Sequence, residues 1–302
     1  MSNRLKAYLA LLGTALVWGA ALPIVKPALN YISPTQFLYF RYLIAAPLLL
    51  PFLLKFFLRF RPNLRTVLNI FFVESYSFFG LILLYRGLQL ATAIEASLIG
   101  ATGPIFIVLG GILLLHEKEE KFEWTGLIIS FIGTLILVLE PLLTGKNHSA
   151  GFSFIGNLMI IGYNLLNVFS VIFQKKLYKH IPKIYVSSLS YPIGLCIFFL
   201  ILTLTGSSTS VSLLTTPSVM LACGYMAIFG SIVGFTLFIY GQNLIEASEA
   251  SLFTYLQGII AIPFAYLMLK ESVTWPQIIA VLIVSLGVYL AEQRPKRYNH
   301  KS

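Results

Sequence analysis

Ten times along its 302 residues the chain offers a run of about twenty residues apolar enough to cross a bilayer. The runs cover roughly residues 7–25, 34–54, 67–86, 92–115, 124–143, 152–173, 184–205, 217–239, 246–269 and 275–292. Hydrocarbon offers the backbone no hydrogen-bond partners, so a spanning segment must satisfy its own N–H and C=O groups, and runs of this length do so as helices. The expected fold is therefore all-α and integral to the membrane, with ten transmembrane helices. Only 11% of the chain is charged and its mean hydropathy is +0.86, whereas soluble domains carry about 25% charged residues. Short connections favour antiparallel neighbours and leave no separate soluble domain. Arg4 and Lys6 ahead of the first run resemble the head of a secretory leader. The repeat described below needs that run as a first helix, so we expect no cleavage.

The net charge of +10 does not point to nucleic acid, because the basic residues sit in short loops between apolar runs. Of 21 Lys and Arg, Lys26, Arg86, Lys146 and Lys270 fall on one side of the membrane and Arg41 inside a span; the other 16 share the side of both termini. By the positive-inside rule both termini are cytoplasmic, in a multi-pass protein of the inner membrane. Cys196 and Cys223 lie in apolar runs and read as buried apolar residues. No HExxH, no clustered His/Asp ligands, no nucleophile beside a base and no GxxxxGK[ST] is present. We expect no cofactor, no metal site and no enzymatic activity. The mixed-charge run HEKEEKFE (His116–Glu123) reads as a solvated turn, since one His among Glu and Lys is not a closed ligand set.

The tetrapeptide Glu-Ala-Ser-Leu occurs at 95–98 and again at 249–252, an offset of 154 residues. At the same offset Gly87 matches Gly241, Leu90 matches Leu244, Leu115 matches Leu269, Glu117 matches Glu271 and Gly133 matches Gly287. Chance similarity between Leu/Ile-rich helices explains scattered aliphatic matches but not paired Glu and Gly at one fixed offset. The chain thus reads as two five-helix repeats, residues 1–147 and 148–302. Five is odd, so the second copy enters the membrane from the opposite face, giving an inverted repeat about an axis in the membrane plane. That architecture belongs to alternating-access carriers.

Two five-span halves in about 300 residues resemble the EamA-type branch of the drug/metabolite transporter superfamily. The resemblance is carried by WGAALPIVK (Trp18–Lys26), FRYLIAAPLLL (Phe40–Leu50), the Glu after spans 4 and 9, and the glycine-bearing spans that follow each. It implies a ten-helix transporter whose central cavity is lined mainly by spans 1, 3, 4, 6, 8 and 9, and whose substrates are small metabolites, often exported amino acids or drugs. Span 6 commonly carries a Trp near its middle in that family; here the region reads IGYNLLNVF and offers Tyr163, Asn164 and Asn167.

Ionisable groups within the spans are functional candidates. Glu74 lies roughly 12 Å into span 3 at ~1.5 Å rise per residue. It reads equally as a cavity group that binds a substrate amine or a coupling proton, and as the ion-pair partner of Arg41 on the neighbouring span. Arg41 reads as structural. Glu95 and Glu249 sit in the first turns of their helices, where a carboxylate caps free N–H groups. Capping with tight packing is the favoured reading there, and paired gates the second. Thr102 and Pro104 in span 4, with Tyr255, Gln257 and Pro263 in span 9, mark Gly/Pro-interrupted helices, a pointer to a transporter's binding site. Trp18, Tyr76, Ser77, Asn164 and Asn167 complete the candidate substrate-binding set. Gly230 and Gly234 form a GxxxG step that reads as helix packing.

The function expected is a secondary-active carrier for small molecules, with the bilayer as a further partner, a coupling proton as a candidate one, and a monomer or homodimer as the assembly. Export of amino acids or related amphiphilic compounds leads; uptake or exchange of a nucleotide-type or phosphorylated metabolite is the alternative. A membrane lipid enzyme and a channel are the rival classes, disfavoured by the missing catalytic motifs and by the repeat.

Overall fold

In the computed structural model the described residues are 2–115, 121–145, 150–177, 183–245 and 247–292, with side chains left out at a few helix ends. Among them there is helix and no strand. The helices are α1 (Asn3–Val25), α2 (Pro34–Phe60), α3 (Leu64–Leu90), α4 (Ala93–Ala101), α5 (Gly103–Leu115), α6 (Lys121–Thr144), α7 (Ala150–Leu177), α8 (Lys183–Leu204), α9 (Pro217–Tyr225), α10 (Gly234–Gln242), α11 (Ala247–Leu269) and α12 (Trp275–Glu292). A π-helical stretch, Met226–Val233, joins α9 to α10. Seven helical segments are long and apolar enough to cross a membrane, α4–α5 and α9–α10 each counting as one. Three shorter apolar segments are Ser188–Leu204, Phe253–Leu269 and Trp275–Leu290.

Local chemistry sets the helix starts. Ser33 accepts from Gln36 N at 3.2 Å while Gln36 returns its Oε1 to Ser33 N at 2.8 Å, with Pro34 supplying the first helical residue of α2. Asn63 caps α3 through Thr66 N at 2.9 Å. Thr92 and Glu95 make the same reciprocal box at the head of α4.

The outside of the bundle carries large apolar side chains such as Leu58, Leu204 and Leu282, while many fully buried positions are alanine, among them Ala7, Ala15, Ala28, Ala45, Ala96 and Ala222. This is the packing logic of a bilayer, where small residues let helices approach and large ones face lipid. The closest helix pairs are α6 with α12, α3 with α7, α2 with α8, α1 with α11 and α10, and α4 with α11.

The α6–α12 contact is built on a glycine from each helix. A Cβ on Gly133 would meet Ala280 O at 2.9 Å and crowd Val284; one on Gly287 would meet Gly126 O at 2.6 Å and crowd Ser130. Ala280 and Val284 follow Gly126 and Ser130 by 154 residues, so α6 and α12 seat each other by the same residues in exchanged roles.

Two spans are interrupted. Between α4 and α5 the chain turns at Thr102, and Pro104 falls in the first turn of α5, where its missing N–H is not needed. The second interruption is the π-helical stretch, closed by Ser231 Oγ donating to Met226 O at 2.8 Å, five residues back. Pro263, by contrast, is carried inside an unbroken α11. The interruptions therefore fall in spans 4 and 8 rather than 4 and 9.

Gly287→Leu forces a side chain into the α6 backbone and should cost about 1–3 kcal/mol. Thermal unfolding in detergent is expected to show a clear drop in melting temperature. Gly100→Ala, where a Cβ meets nothing within 4 Å, should leave the melt unchanged or raised.

Candidate functional site

The break at Thr102 leaves backbone carbonyls that the helix cannot satisfy. Ile99 O accepts from Asn164 Nδ2 of α7 at 2.9 Å and from Thr102 Oγ1 at 2.6 Å. Asn164 is 1% exposed, and its Oδ1 is buried without a hydrogen-bond partner among the described residues. Just beyond, Thr102 and Tyr255 line a small cavity of about 30 Å³ between α4, α6, α11 and α12.

The π-helical interruption is satisfied the same way from α1. Trp18 Nε1 donates to Gly230 O at 3.0 Å, and the Thr14 hydroxyl is shared between Ala10 O of its own helix at 3.0 Å and Gly234 O at 3.3 Å. Arg41, on α2 and 8% exposed, reaches Ser231 Oγ at 3.1 Å and Tyr85 OH at 3.3 Å, with its guanidinium 5.7 Å from the Tyr42 ring centre. Hydroxyls on α3, on the π-helical stretch and, from Tyr191, on α8 thus surround its guanidinium. Glu74 is buried on α3 and lies near Tyr42.

A larger cavity, about 390 Å³, opens at the end of the bundle where the connections α1–α2, α3–α4, α6–α7 and α11–α12 meet. Three carboxylates and two ammonium groups line it: Glu95, Glu140, Glu271, Lys26 and Lys270. The head of α4 forms its floor, and every free donor there is occupied. Glu271 takes the N–H groups of Ala93 and Ile94, each at 3.0 Å; Thr92 Oγ1 takes Glu95 N at 3.1 Å; and Glu95 Oε2 takes Thr92 N at 2.8 Å. Ser153 Oγ of α7 donates to the same Glu95 oxygen at 2.7 Å. Glu140, at the end of α6, accepts from Thr274 Oγ1 at 2.6 Å and faces Glu95 within hydrogen-bond range. Lys26 Nζ donates to Leu88 O at 3.2 Å and to Ala91 O, and lies 4.0 Å from Glu271 Oε1.

Set against this geometry, the expected site residues fall into separate groups. Thr102 and Tyr255 are brought together, with Asn164 one bond away. Gln257 and Asn167 are half-buried on α11 and α7. Trp18 is bound to the π-helical stretch, while Tyr76 stacks on Phe169 and Phe173, and Ser77 bonds Ser170 at 2.7 Å, so these two fill the α3–α7 contact. The side chain of Glu249 lies outside the described residues. Glu140 and Lys26 were missed as site residues, because each stands at a helix end where a charge needs no explanation. Glu271 had a signal, its match to Glu117 in the repeat, but spacing alone assigned it no partner. Among the described residues no group of three His, Cys, Asp or Glu could hold a metal ion.

Long apolar helices packed through alanine and glycine, with large apolar side chains on the outside, define a multi-pass helical membrane protein. The chain belongs to the EamA-like transporter family, whose sequence model matches residues 5–139 and 154–292. An uncharacterized transporter of Archaeoglobus fulgidus is 25% identical over 289 residues, covering 94% of this chain and 96% of its own length. The uncharacterized inner membrane transporter YedA of Escherichia coli (strain K12) is 25% identical over 312 residues, covering 95% and 92%. YyaM of Bacillus subtilis, an uncharacterized transporter, is 26% identical over 313 residues, covering 99% and 98%. One protein of known crystal structure shares the fold with a TM-score of 0.65 at 15% identity, covering 97% of this chain and 99% of that one.

Asn164→Leu removes one of three donors to the Ile99 carbonyl, which keeps Thr102 N at 3.1 Å and Thr102 Oγ1 at 2.6 Å, and should destabilise the protein by about 0.5–1.5 kcal/mol, the net worth of one hydrogen bond. The expected outcome is a lowered melting temperature in detergent, with Asn164→Gln falling between the variant and the parent.

Proposed function

We propose that the protein is a secondary-active carrier of small metabolites that works by alternating access between two inverted five-helix halves, 1–147 and 148–302. The observation that carries this reading is the reciprocal seating of α6 and α12 at Gly133 and Gly287. The pairing of α1 with α10 and of α3 with α7 supports the same exchange. A Cβ on Gly87 meets Gly156 O and Ile160, and one on Gly241 meets Ala7 O and Leu11, a constant shift of 149 residues between α1 and α7. The seven long and three shorter apolar segments add up to the ten spans this needs. A carrier so built changes state by exchanging the conformations of its halves. The family-model matches at 5–139 and 154–292 fit the same division.

The substrate class we favour is amino acids or related amphiphilic compounds, moved outward across the cytoplasmic membrane with both termini inside. The cavity offers the carboxylates of Glu95 and Glu140 together with the ammonium group of Lys270, the complement of a zwitterion, and the free Oδ1 of Asn164 offers an acceptor for a substrate ammonium deeper in. A carrier of phosphorylated metabolites would draw instead on Arg41, which is bonded to Ser231 and Tyr85 and does not line the cavity. Coupling to a proton falls to Glu74 or to the Glu95–Glu140 pair. The missing nucleophile–base arrangement disfavours an enzyme.

Counterflow in proteoliposomes with a panel of amino acids, nucleotides and cationic drugs tests the assignment. Saturable counterflow of at least one amino acid is expected; exchange of nucleotides alone would sink it. Glu74→Gln should flatten the pH dependence of transport if Glu74 carries the coupling proton. Glu140→Gln should do so if the pair does, and an unchanged profile in both removes proton coupling at these sites.

A further inference from the structure

The carboxylate of Glu271 belongs to the C-terminal half of the chain but is bound entirely by the other half. Its two oxygens take the first two N–H groups of α4. Lys26, at the end of α1, stands 4.0 Å from Oε1 and also holds the carbonyls of Leu88 and Ala91 at the end of α3. From the same connection Thr274 donates to Glu140 at the end of α6. The five residues Lys270–Thr274 thus fasten α11 and α12 to the ends of α1, α3, α4 and α6. A carboxylate on a helix N-terminus gains from the dipole and from charge-assisted bonds, so this is a strong tie.

It is also a tie that can be undone without cost to the rest of α4. The Thr92–Glu95 box and the Ser153 bond to Glu95 stay in place when Glu271 leaves. Glu271 and Lys26 border the 390 Å³ cavity, with side chains 13% and 25% exposed, so water can reach the groups that release uncovers. α4 is only nine residues long and ends at the Thr102 turn, which lets it tilt as a unit.

We propose that Glu271 is the latch of this end of the carrier: it holds the α11–α12 connection down on α4, and it must let go of Ala93 and Ile94 before the passage beneath opens. The latch deepens the alternating-access reading and rests on it. Glu271 touches no substrate in this scheme; it positions α4. The sequence has a like residue at the matching place in the other half, Glu117, which lies outside the described residues.

The test uses the full chain in proteoliposomes, with Cys196→Ser and Cys223→Ser and one reporter, Ser97→Cys. Ser97 is buried in α4, two residues below Glu95, and its hydroxyl has no hydrogen-bond partner among the described residues, so the reporter loses no bond. A membrane-impermeant methanethiosulfonate is added from the Lys26 side and the rate of labelling measured. Glu271→Gln, which loses the charge and one acceptor, should raise that rate about tenfold, the shift expected from weakening one charge-assisted bond pair. Glu271→Asp should restore part of the protection. Should Glu271→Gln fail to purify as a monodisperse protein, Lys26→Gln supplies the same readout with a smaller increase expected. Labelling as slow as in the parent, in whichever of these two variants folds, overturns the latch. The readout needs no substrate. Accelerated labelling with a flat counterflow panel keeps the latch and removes the amino-acid assignment, whereas normal counterflow with unchanged labelling removes the latch alone.

Discussion

In hydrocarbon a backbone carbonyl that loses its helical partner has no water to turn to, and leaving it bare costs several kcal/mol. Among the described residues two spans are interrupted, and several buried polar side chains serve those interruptions. Asn164 holds Ile99 O at the α4–α5 turn; Trp18 and Thr14 hold Gly230 O and Gly234 O around the π-helical stretch; Ser231 closes that stretch and receives Arg41. Each interruption also draws a donor from the opposite half of the chain. α7, which opens the second half, serves the break in the first, and α1, which opens the first, serves the break in the second. Movement of one half against the other therefore acts directly on the bonds that stabilise the breaks, which couples packing to the shape of the central region.

The same exchange governs the tight contacts. Gly133 and Gly287 let α6 and α12 touch backbone to backbone through residues 154 apart, and Gly87 and Gly241 do so for α3 on α7 and for α10 on α1. Interfaces of this kind are rigid because no side chain can shift to absorb a displacement. The breaks depart from the symmetry, one in span 4 and one in span 8. The region between α4 and α11 thus presents a turn at Thr102 on one side and an unbroken helix on the other, so its two faces differ chemically.

Much of the scaffold was legible in the sequence. Apolar length predicted helices, and the helical segments of the structure fall on the predicted windows, because a bilayer leaves the backbone little choice. The capping role of Glu95 was readable too, since a carboxylate in the first turn of a helix is a local signal. What was not legible is where buried polar side chains point. Asn164 and Trp18 carry the same letters whether they bind a solute or a carbonyl, and the choice depends on which helix breaks beside them. Pro263 showed the limit of reading breaks from proline: an X-Pro step frees one carbonyl, and α11 carries it without ending. The π-helical stretch had only Gly230 and Gly234 to announce it, and these read as ordinary packing.

The charge count carried a second message. A bias of basic residues toward one face says how the chain is oriented, but the few that disobey it sit where orientation does not explain them. Of those four, Lys146 lies outside the described residues, and Arg86 bonds Gln89 on the surface. Lys26 and Lys270 line the charged cavity, and Lys26 supplies the cation beside Glu271. A lysine on the sparse face works against the orientation of the whole protein unless something local holds it there. Three carboxylates and the freed carbonyls at the end of α3 provide that. Such exceptions, more than the deep Glu74, pointed to where charge is concentrated, because a lone buried carboxylate marks one position while a misplaced cation marks the group of acids that retains it.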